Sequence, residues 1–197
     1  EDRCATTFTG PLGMGASFNR SSWHAKGLVL GREMRALRNA NWHRGNADNA
    51  IGLTGYGPNI NVARDPRFGR TSELPGEDPY LNGQFGAMYA KGMQNARDSG
   101  YASDSVMAVP TLKHFDANSL EGAWGPFGRI TRHSDNAKIS QYDLFSTFLP
   151  AFRQSVVDGG AKGVMCSYNA VNGVPSCANK WLLDTVLRKS WNFSGYV

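Results

Sequence analysis

The sequence predicts an α/β protein that forms part of a (β/α)8 TIM-type barrel, truncated at both ends. Amphipathic helical stretches alternate with short apolar, strand-like stretches along the chain, which is typical of parallel strands joined by helical crossovers. Loops rich in charge, glycine and proline follow the strands, as they do at the catalytic face of such barrels. The chain has 197 residues, fewer than the ~250 of a closed barrel, so we expect only part of one.

The helices of the first half are predicted from helical periodicity and from capping residues. One helix spans about Arg20 to Arg44. Its apolar stripe consists of Trp23, Gly27, Leu30, Met34 and Leu37. A second helix begins after Asp78, which is a good N-cap, with Pro79 at the first helical position. We expect this helix to end near Gly100.

Two further helices are predicted in the second half. Ser140 and Asp143 have the spacing of a capping box, and a wide apolar stripe follows them until a Gly-Gly pair ends it. Pro150 lies inside this stretch and is expected to kink the helix. The last helix is predicted over about Asn179 to Trp191.

The strands are predicted from short apolar runs bounded by turn residues. The first runs from Pro58 to Ala63 and the second from Val106 to Leu112, leading into Lys113 and His114. A third runs from Gly163 to Tyr168, and the chain ends on what resembles the start of a fourth. The residues between the second strand and about Lys138 are expected to form a loop.

The basic charge of the chain is concentrated in the first helix. The net charge is +5, and much of the excess comes from Arg20, Lys26, Arg32, Arg35, Arg38 and Arg44. Because these residues largely avoid the apolar stripe, we interpret them as a solvated helix face rather than a nucleic-acid patch. No nucleic-acid-binding motif accompanies them, so no nucleic-acid partner is expected.

Several other functional classes receive no support from the sequence. No apolar run approaches the ~18 residues that a membrane span requires, so no membrane association is expected. The four histidines lack ligand spacing with one another or with a cysteine pair, and no metal site is expected. The glycines near the start lack the Lys-Ser/Thr signature of a phosphate loop, and no cofactor is expected.

Polar donors follow successive predicted strands. Arg70 lies in the loop after the first strand, Lys113 and His114 follow the second, and Tyr168 follows the third. Each could have a purely structural role: Arg70 could pair with Glu73, Lys113 could be a solvated charge, and the other two could be satisfied core residues. Because the carboxyl ends of barrel strands meet at one face, their convergence favours a site.

A long motif identifies the family that the chain resembles. The pattern Pro-Asn-x-Asn-x-x-Arg-Asp-Pro-Arg-aromatic-Gly-Arg-x-x-Glu-x-Pro-Gly-Glu-Asp-Pro lies within Gly57 to Tyr80. It resembles the glycoside hydrolases of family 3, which include β-glucosidases and β-xylosidases. Met165 to Ala178 and Ala16 to Asn19 are similar to the β-xylosidase-like branch. The loop after the Lys-His-Phe segment does not match the N-acetylglucosaminidase subgroup.

The resemblance implies a set of substrate-binding residues for the non-reducing-end sugar. They are Tyr56, Arg70, Lys113, His114, Arg132, Met165 and Tyr168. The loop between His114 and Arg132 is longer than is usual for the family, so Arg129 is an alternative to Arg132. No catalytic residue is expected in this chain. The family's nucleophile is an aspartate expected just beyond Val197, and its acid/base carboxylate comes from a later domain.

The implied activity is the hydrolysis of terminal non-reducing β-D-xylosyl or β-D-glucosyl residues from oligosaccharides by a retaining double displacement. Residues 1–197 would be the central part of the N-terminal catalytic barrel domain. Its partners would be the remaining barrel segments and the C-terminal domains, and the isolated chain would be inactive. The alternative is a non-catalytic carbohydrate-binding relative of the barrel.

The cysteines are relevant to whether the protein is located in an oxidising, extracellular compartment. The resemblance implies a secreted, extracellular protein, in which disulfides persist. A disulfide between Cys166 and Cys177 would close the short loop from Ser167 to Ser176 and is expected on that ground. Cys4 is left over and has no assigned partner within the chain.

Overall fold

The computed structural model describes residues 5–43, 52–102, 105–126 and 128–197. Cys4 and Arg44, which were included in the sequence predictions, lie outside these ranges. Five α- or π-helical segments occur in the described residues, in addition to short 3-10 turns. The first three are α1 (Pro11–Ala16), α2 (Arg20–His43) and α3 (Pro79–Gln94). The fourth, α4, is one continuous helix made of Gln141–Asp143, a π-helical turn at Leu144–Phe148, and Leu149–Val157. The fifth, α5 (Trp181–Ser190), is π-helical.

A parallel three-stranded sheet forms the centre of the fold. The described residues contain eight strands in all: β1 (Thr54–Gly55), β2 (Val109–Phe115), β3 (Gly122–Gly125), β4 (Gly128–Thr131), β5 (Asn136–Ala137), β6 (Gly163–Cys166), β7 (Ala170–Val171) and β8 (Val174–Pro175). The central sheet has the order β1-β2-β6 with both pairs parallel, and α3 and α4 connect its strands. Tyr196 forms a further parallel bridge beside β6. The predicted α/β class with parallel, barrel-like connections is therefore confirmed.

The first predicted strand, Pro58 to Ala63, is replaced by a shorter ladder. The regular pairing with β2 occurs earlier, at β1, and only Asn59 forms an isolated parallel bridge to Lys113. Beyond it, the Asn61 side chain takes over the pairing, since its Oδ1 accepts from the backbone N–H of His114 at 2.9 Å and its Nδ2 donates to the backbone carbonyl at 2.9 Å. At this point the side-chain amide of Asn61 thus replaces the backbone hydrogen bonds of a parallel strand pair.

The second predicted strand is shifted towards the C-terminus. β2 begins at Val109 and includes Lys113, His114 and Phe115, which the sequence placed after the strand. The shift has a physical cause, because Lys113 exchanges backbone hydrogen bonds with Pro58 and Ile60. The side chains of Lys113 and His114, which the sequence predicts to bind substrate, therefore lie on a strand, which holds them more firmly than a loop would.

The predicted helix starts are confirmed, whereas one predicted end is wrong. Asp78 caps α3 by accepting from two backbone N–H groups, and Ser140 caps α4. However, α3 ends at Gln94, and Gly100 instead terminates a short 3-10 turn in the left-handed conformation, with φ 79°. The irregularity expected at Pro150 takes the form of the π-helical turn just before it.

The long loop predicted after β2 contains a β-hairpin and one strand of a second small sheet, whose other two strands follow β6. β3 and β4 form an antiparallel hairpin, and β5 pairs with β7, which in turn pairs with β8. The sequence signal for the hairpin was weak because its turn lacks the usual Asn-Gly or Asp-Gly pair. The third predicted strand is shorter than expected and ends at Cys166, which leaves Tyr168 in the connection to β7.

The core lies between the sheet and its helices. Phe115 of β2 packs edge-on against Phe152 of α4 and Trp191 after α5, at ring-centroid distances of 5.1 and 5.8 Å. Trp23 packs in the same manner on Phe85, which joins α2 to α3. All of these rings except that of Trp191 are almost fully buried, so they fix the positions of the strand ends that carry the polar side chains.

The basic residues of α2 are more than a solvated face. Arg35 donates to the backbone carbonyls of Val106 and Met107, both at 2.9 Å, and Arg32 donates to that of Asp98 at 3.0 Å. These bonds attach α2 to the connection between α3 and β2. Part of the positive charge that the sequence assigned to solvent is therefore structural.

Helices α2 and α3 meet backbone to backbone at glycines, which gives a first prediction. A Cβ on Gly92 would lie 2.1 Å from the His24 carbonyl oxygen, so Gly92→Ala must push the helices apart. We expect a loss of about 2–3 kcal/mol in the free energy of unfolding, measured by urea denaturation. Gly10→Ala is the matched control, because its Cβ would meet nothing within 4 Å. Equal stability of the two variants would contradict this packing.

Candidate active site

The loop that follows Asn61 is folded so that Arg70 points inward. Asp65 caps a 3-10 turn by accepting from the backbone N–H of Arg67, and the two side chains form an ion pair at 2.6 Å. Gly69 then adopts a left-handed conformation with φ 89°, which a residue with a side chain rarely adopts. The turn brings Arg70 to the carboxyl ends of the strands, with its side chain only 18% exposed.

Two carboxylates hold the Arg70 guanidinium. Its Nε and Nη2 donate to the two oxygens of Glu73, both at 2.7 Å, and its Nη1 donates to Glu121 at 3.0 Å. The bidentate pair with Glu73 keeps the plane of the guanidinium in one orientation. The hydrogen bond from Arg70 is the main reason that the pKa of Glu73 lies below its ordinary value. The structural pairing of Arg70 with Glu73 considered from the sequence is therefore real.

His114 is neutral and uses both of its ring nitrogens. Arg70 Nη1 lies 3.3 Å from His114 Nε2, and since a guanidinium can only donate, Nε2 accepts and the proton is on Nδ1. Asn61 Oδ1 is 3.2 Å from Nδ1 and accepts this proton. The Asn118 amide nitrogen, also 3.2 Å from Nδ1, cannot then donate to it. Burial, followed by the nearby charges of Arg70 and Lys113, lowers the pKa of His114 to about 3. The imidazole is thus held in one tautomer.

Lys113 lies beside this cluster with its ammonium half-buried. Burial lowers the pKa of Lys113, and the negative charge of Glu73 acts in the opposite direction. The ammonium carries three donors on a flexible stem. It can therefore reach a hydroxyl group that approaches Glu73 and Arg70 from the open side of the sheet.

Glu121 extends the cluster to the next loop, and sequence reasoning did not identify it. Its second oxygen accepts from Arg132 Nη1 at 3.1 Å, so one carboxylate bridges Arg70 and Arg132. The Arg132 guanidinium lies over the Tyr168 ring, 5.0 Å from its centroid, and His133 packs on the same ring at 4.7 Å. The sequence offered little signal for Glu121, because its partners are distant along the chain.

The cluster therefore unites five of the seven predicted substrate-binding residues. Arg70 and His114 are in direct contact, Lys113 lies near enough for its charge to act on His114 and Glu73, and Arg132 and Tyr168 join them through Glu121. Of the remaining two, Tyr56 is 64% exposed just before the cluster segment, and Met165 lies half-buried on β6. Neither forms a hydrogen bond or ring contact with the cluster in the described part of the chain.

The loop that carries Tyr168 is closed by a disulfide. Cys166 and Cys177 are bridged, with their Cα atoms 5.1 Å apart, as expected from the sequence. Within the loop, the Ser167 hydroxyl donates to the backbone carbonyl of Asp116 at 2.8 Å and lies 3.0 Å from the Ser176 hydroxyl. The disulfide and these hydrogen bonds fix the segment that presents Tyr168.

Asp116 is an unusual carboxyl group beneath the site. It is 1% exposed, its Oδ1 accepts from the backbone N–H of Ala117 at 2.6 Å, and its Oδ2 has no hydrogen-bond partner among the described residues. Burial raises the pKa of Asp116 to about 7. The sequence analysis assigned this residue no role, and in the structure it faces the interior.

The arrangement can bind a neutral polyhydroxyl ligand. Arginine, lysine and tyrosine donors converge at one edge of the sheet, while both carboxylates of the cluster are already neutralised by arginines. In the described ranges, no group of three or more metal-ligating side chains is positioned to hold a metal ion. The same part of the chain has no helix long and apolar enough to cross a membrane.

Comparison with known proteins agrees with this geometry. Residues 2–197 match the model of the glycosyl hydrolase family 3 N terminal domain. The chain is 42% identical over 193 residues to beta-xylosidase/alpha-L-arabinofuranosidase 1 of Medicago sativa subsp. varia and covers 23% of that protein. It is 37% identical over 191 residues to an exo-1,4-beta-xylosidase of Emericella nidulans. In each of these two comparisons at least 97% of this chain is aligned.

Solved structures support the same fold. A GH3 exo-beta-xylosidase (XlnD) in complex with a xylobiose aziridine activity-based probe aligns with a TM-score of 0.83 and 36% identity, covering 96% of this chain and 23% of that one. Beta-glucosidase 3B of Thermotoga neapolitana in complex with glucose aligns with a TM-score of 0.78 and 26% identity, covering 100% and 24%. The chain thus spans about a quarter of the length of these relatives.

The two shifted acid–base groups predict opposite pH effects on stability. The unfolded state protonates His114 near its ordinary pKa of 6.5, whereas the folded state stays neutral down to about 3, so His114 lowers stability as the pH falls. The unfolded state ionises Asp116 near 3.8, whereas the folded state keeps its proton up to about 7, so Asp116 lowers stability as the pH rises. The two contributions oppose each other between about pH 4 and 6.5.

Replacing either His114 or Asp116 should therefore expose the pH dependence of stability that the other residue causes. Between pH 4 and 7, we expect the unfolding free energy of His114→Gln to fall with rising pH relative to wild type, by about 3 kcal/mol. That of Asp116→Asn should rise relative to wild type by a similar amount. Urea denaturation across this pH range measures both. If the unfolding free energies of wild type and the two variants changed with pH in the same way, the assigned protonation states would be contradicted.

Proposed function

Because the chain belongs to glycoside hydrolase family 3, we propose that the protein containing it removes terminal non-reducing β-D-xylosyl or β-D-glucosyl residues from oligosaccharides. The observation that carries this proposal is the cluster in which Arg70 is fixed by Glu73 and Glu121 beside Lys113 and His114. Similarity to named plant and fungal β-xylosidases supports xylosyl as the preferred sugar.

The cluster suits the role of binding the terminal sugar. Four of the five N–H groups of Arg70 are used by Glu73, Glu121 and His114, which leaves one free to donate to a sugar hydroxyl. Lys113 supplies further donors from the adjacent strand position. Because the protein partners fix the guanidinium before the sugar arrives, little conformational entropy is lost on binding.

The two carboxylates of the cluster are poorly suited to chemistry. Glu73 and Glu121 are each bound to an arginine, and hydrogen bonding to Arg70 lowers the pKa of Glu73. A general acid needs the opposite shift. We therefore assign both to positioning Arg70 and Arg132, and we assign substrate contact to Tyr56, Arg70, Lys113, His114, Arg132, Met165 and Tyr168. His114 would have to exchange its bond with Arg70 for one with a hydroxyl.

The chemistry itself is proposed to come from outside residues 1–197. An aspartate just past Val197 would attack the anomeric carbon, the leaving-group oxygen would take a proton from an acid/base carboxylate, and water would then release the sugar from the enzyme with retention. Tyr196 runs parallel to β6 at the level of Gly163. At about 3.3 Å per residue, positions three or four residues further on would reach the strand end near Tyr168.

The remaining proposals concern the place of residues 1–197 in the longer protein and the location of that protein in the cell. Residues 1–197 would be the central part of the N-terminal catalytic barrel, packed against other barrel segments and C-terminal domains. A secreted location is supported by the disulfide between Cys166 and Cys177, which an oxidising compartment would preserve. The second candidate, carbohydrate binding without hydrolysis, is favoured by the arginine pairing of both cluster carboxylates.

Activity of the full-length protein tests the proposal. We expect it to hydrolyse xylobiose, with the β-anomer of xylose appearing first in proton NMR spectra, and the chain of 197 residues alone to release no sugar. Arg70→Lys should lower kcat/KM by about 100-fold, since it loses the bidentate bond to Glu73 and the fixed donor.

Arg67→Lys is the matched control, because Arg67 is exposed and pairs only with Asp65 in the described structure. It should leave kcat/KM nearly unchanged. Sugar binding without turnover by the full-length protein would instead establish the second candidate, and equal activity of the two arginine variants would remove Arg70 from the site.

A further inference from the structure

Two stretches of the chain have the Asn-x-Ser/Thr spacing of an N-glycosylation acceptor. They are Asn19-Arg20-Ser21 and Asn192-Phe193-Ser194. Such a triplet is short enough to occur by chance, so the question is whether the folded protein could carry a glycan there. Neither triplet belongs to the cluster around Arg70.

The second triplet forms a firmly held turn whose two acceptor residues face solvent. Asn192 and Ser194 are exposed on either side of Phe193, which is buried. Arg188 donates to the backbone carbonyls of Phe193 and Gly195 at 3.1 and 2.5 Å, so the backbone of the turn is fixed from its inner side. A glycan on the outer side would leave these contacts intact.

A purely structural role accounts for Asn192 but not for Ser194. Asn192 follows α5 and adopts a left-handed conformation with φ 53°, which asparagine tolerates better than most residues. Ser194 does not have a positive φ. In the part of the chain that the structure describes, neither its hydroxyl nor the Asn192 amide has a hydrogen-bond partner. Both acceptor groups are therefore accessible and unused by the fold.

The first triplet is less suited to a glycan. Asn19 Oδ1 accepts from the backbone N–H of Ser22 at 3.1 Å, so this amide is used to cap α2. The preceding helix packs against the loop that carries Arg70, since a Cβ on Gly15 would lie 2.1 Å from the Pro75 carbonyl oxygen. A glycan on Asn19 would crowd a helix cap on the side of the protein that carries the candidate site.

The turn at Asn192 lies at the opposite end of the sheet from the candidate site. Tyr196 forms its parallel bridge to Gly163, the first residue of β6, whereas Tyr168 follows Cys166, the last. Functional loops of such barrels lie at the carboxyl ends of the strands. A glycan on Asn192 would project from the amino end and leave access to the site open.

A groove beside Asn192 gives the first sugar of a glycan room. It has a volume of about 260 Å³, and Trp191 and Val157 line it together with Asn192 and Ser194. Val157 is 47% exposed. The C–H groups of an attached sugar would therefore cover apolar surface that otherwise contacts water.

We propose that Asn192 is an N-glycosylation site. In the reaction, Nδ2 of Asn192 bonds to the anomeric carbon of an oligosaccharide carried on a lipid pyrophosphate. The bond from that carbon to the pyrophosphate oxygen breaks, the lipid pyrophosphate leaves with the electron pair, and the amide nitrogen loses one proton to a base. Because this donor serves secreted proteins, the inference rests on the proposed secreted location.

The test is mass spectrometry of intact glycopeptides from the full-length protein, secreted by its natural source. Trypsin cleaves after Arg20 and after Lys189, so the two triplets lie in different peptides. We expect a glycan on the peptide that begins at Ser190. In protein secreted from a yeast host, Ser194→Ala should lose this glycan, whereas Ser194→Thr should keep it.

Asn192→Asp is a second loss variant, because aspartate also tolerates the left-handed conformation, and it too should lose the glycan. Ser21→Ala is the matched control, since it removes only the other triplet and should leave the Asn192 glycan in place. All variants should hydrolyse xylobiose with unchanged kcat/KM, because the turn is remote from the site.

An unmodified Asn192 in the secreted wild type, or a glycan that persists on it in Ser194→Ala, would overturn the inference and leave the proposed function intact. A protein that carries the glycan but hydrolyses neither xylobiose nor cellobiose would overturn the proposed function and leave the modification site standing.

Discussion

The Arg70 guanidinium is the interaction on which the candidate site depends. It bonds to Glu73 within its own loop, to His114 on β2 and to Glu121 at the root of the hairpin, and Glu121 continues the network to Arg132. Segments distant in sequence are thereby fixed relative to one cation. Removing that cation would leave two partly buried carboxylates competing for the remaining positive charges, so the geometry of every neighbouring loop is coupled to it.

The protein builds this arrangement by mixing backbone and side-chain pairing. Asn61 replaces a ladder residue and bonds both backbone groups of His114, and its Oδ1 also faces the imidazole. The same amide therefore fixes the register of β2 and accepts the proton on Nδ1 of His114. Burial and two cations keep His114 neutral, which suits a residue that must accept a hydrogen bond from Arg70.

The sequence was informative where function is carried by local patterns. The alternation of helices and strands predicted the α/β class, and the motif around Arg70 identified the family. Pairwise contacts across long separations were not predictable, which is why Glu121 was missed and the β3–β4 hairpin was expected to be a loop. The strand bounds shifted around Lys113 because its pairing with Pro58 and Ile60 is tertiary, and no local propensity encodes it.

The most direct test of the account is a crystal structure of the full-length protein soaked with xylose. The account predicts the sugar at the carboxyl ends of β2 and β6, with hydroxyls in hydrogen-bond distance of Arg70 and Lys113, and with Glu73 and Glu121 still bound to Arg70. A sugar bound elsewhere, or one that displaces both carboxylates from Arg70, would contradict the claim that this cluster is a preformed sugar site.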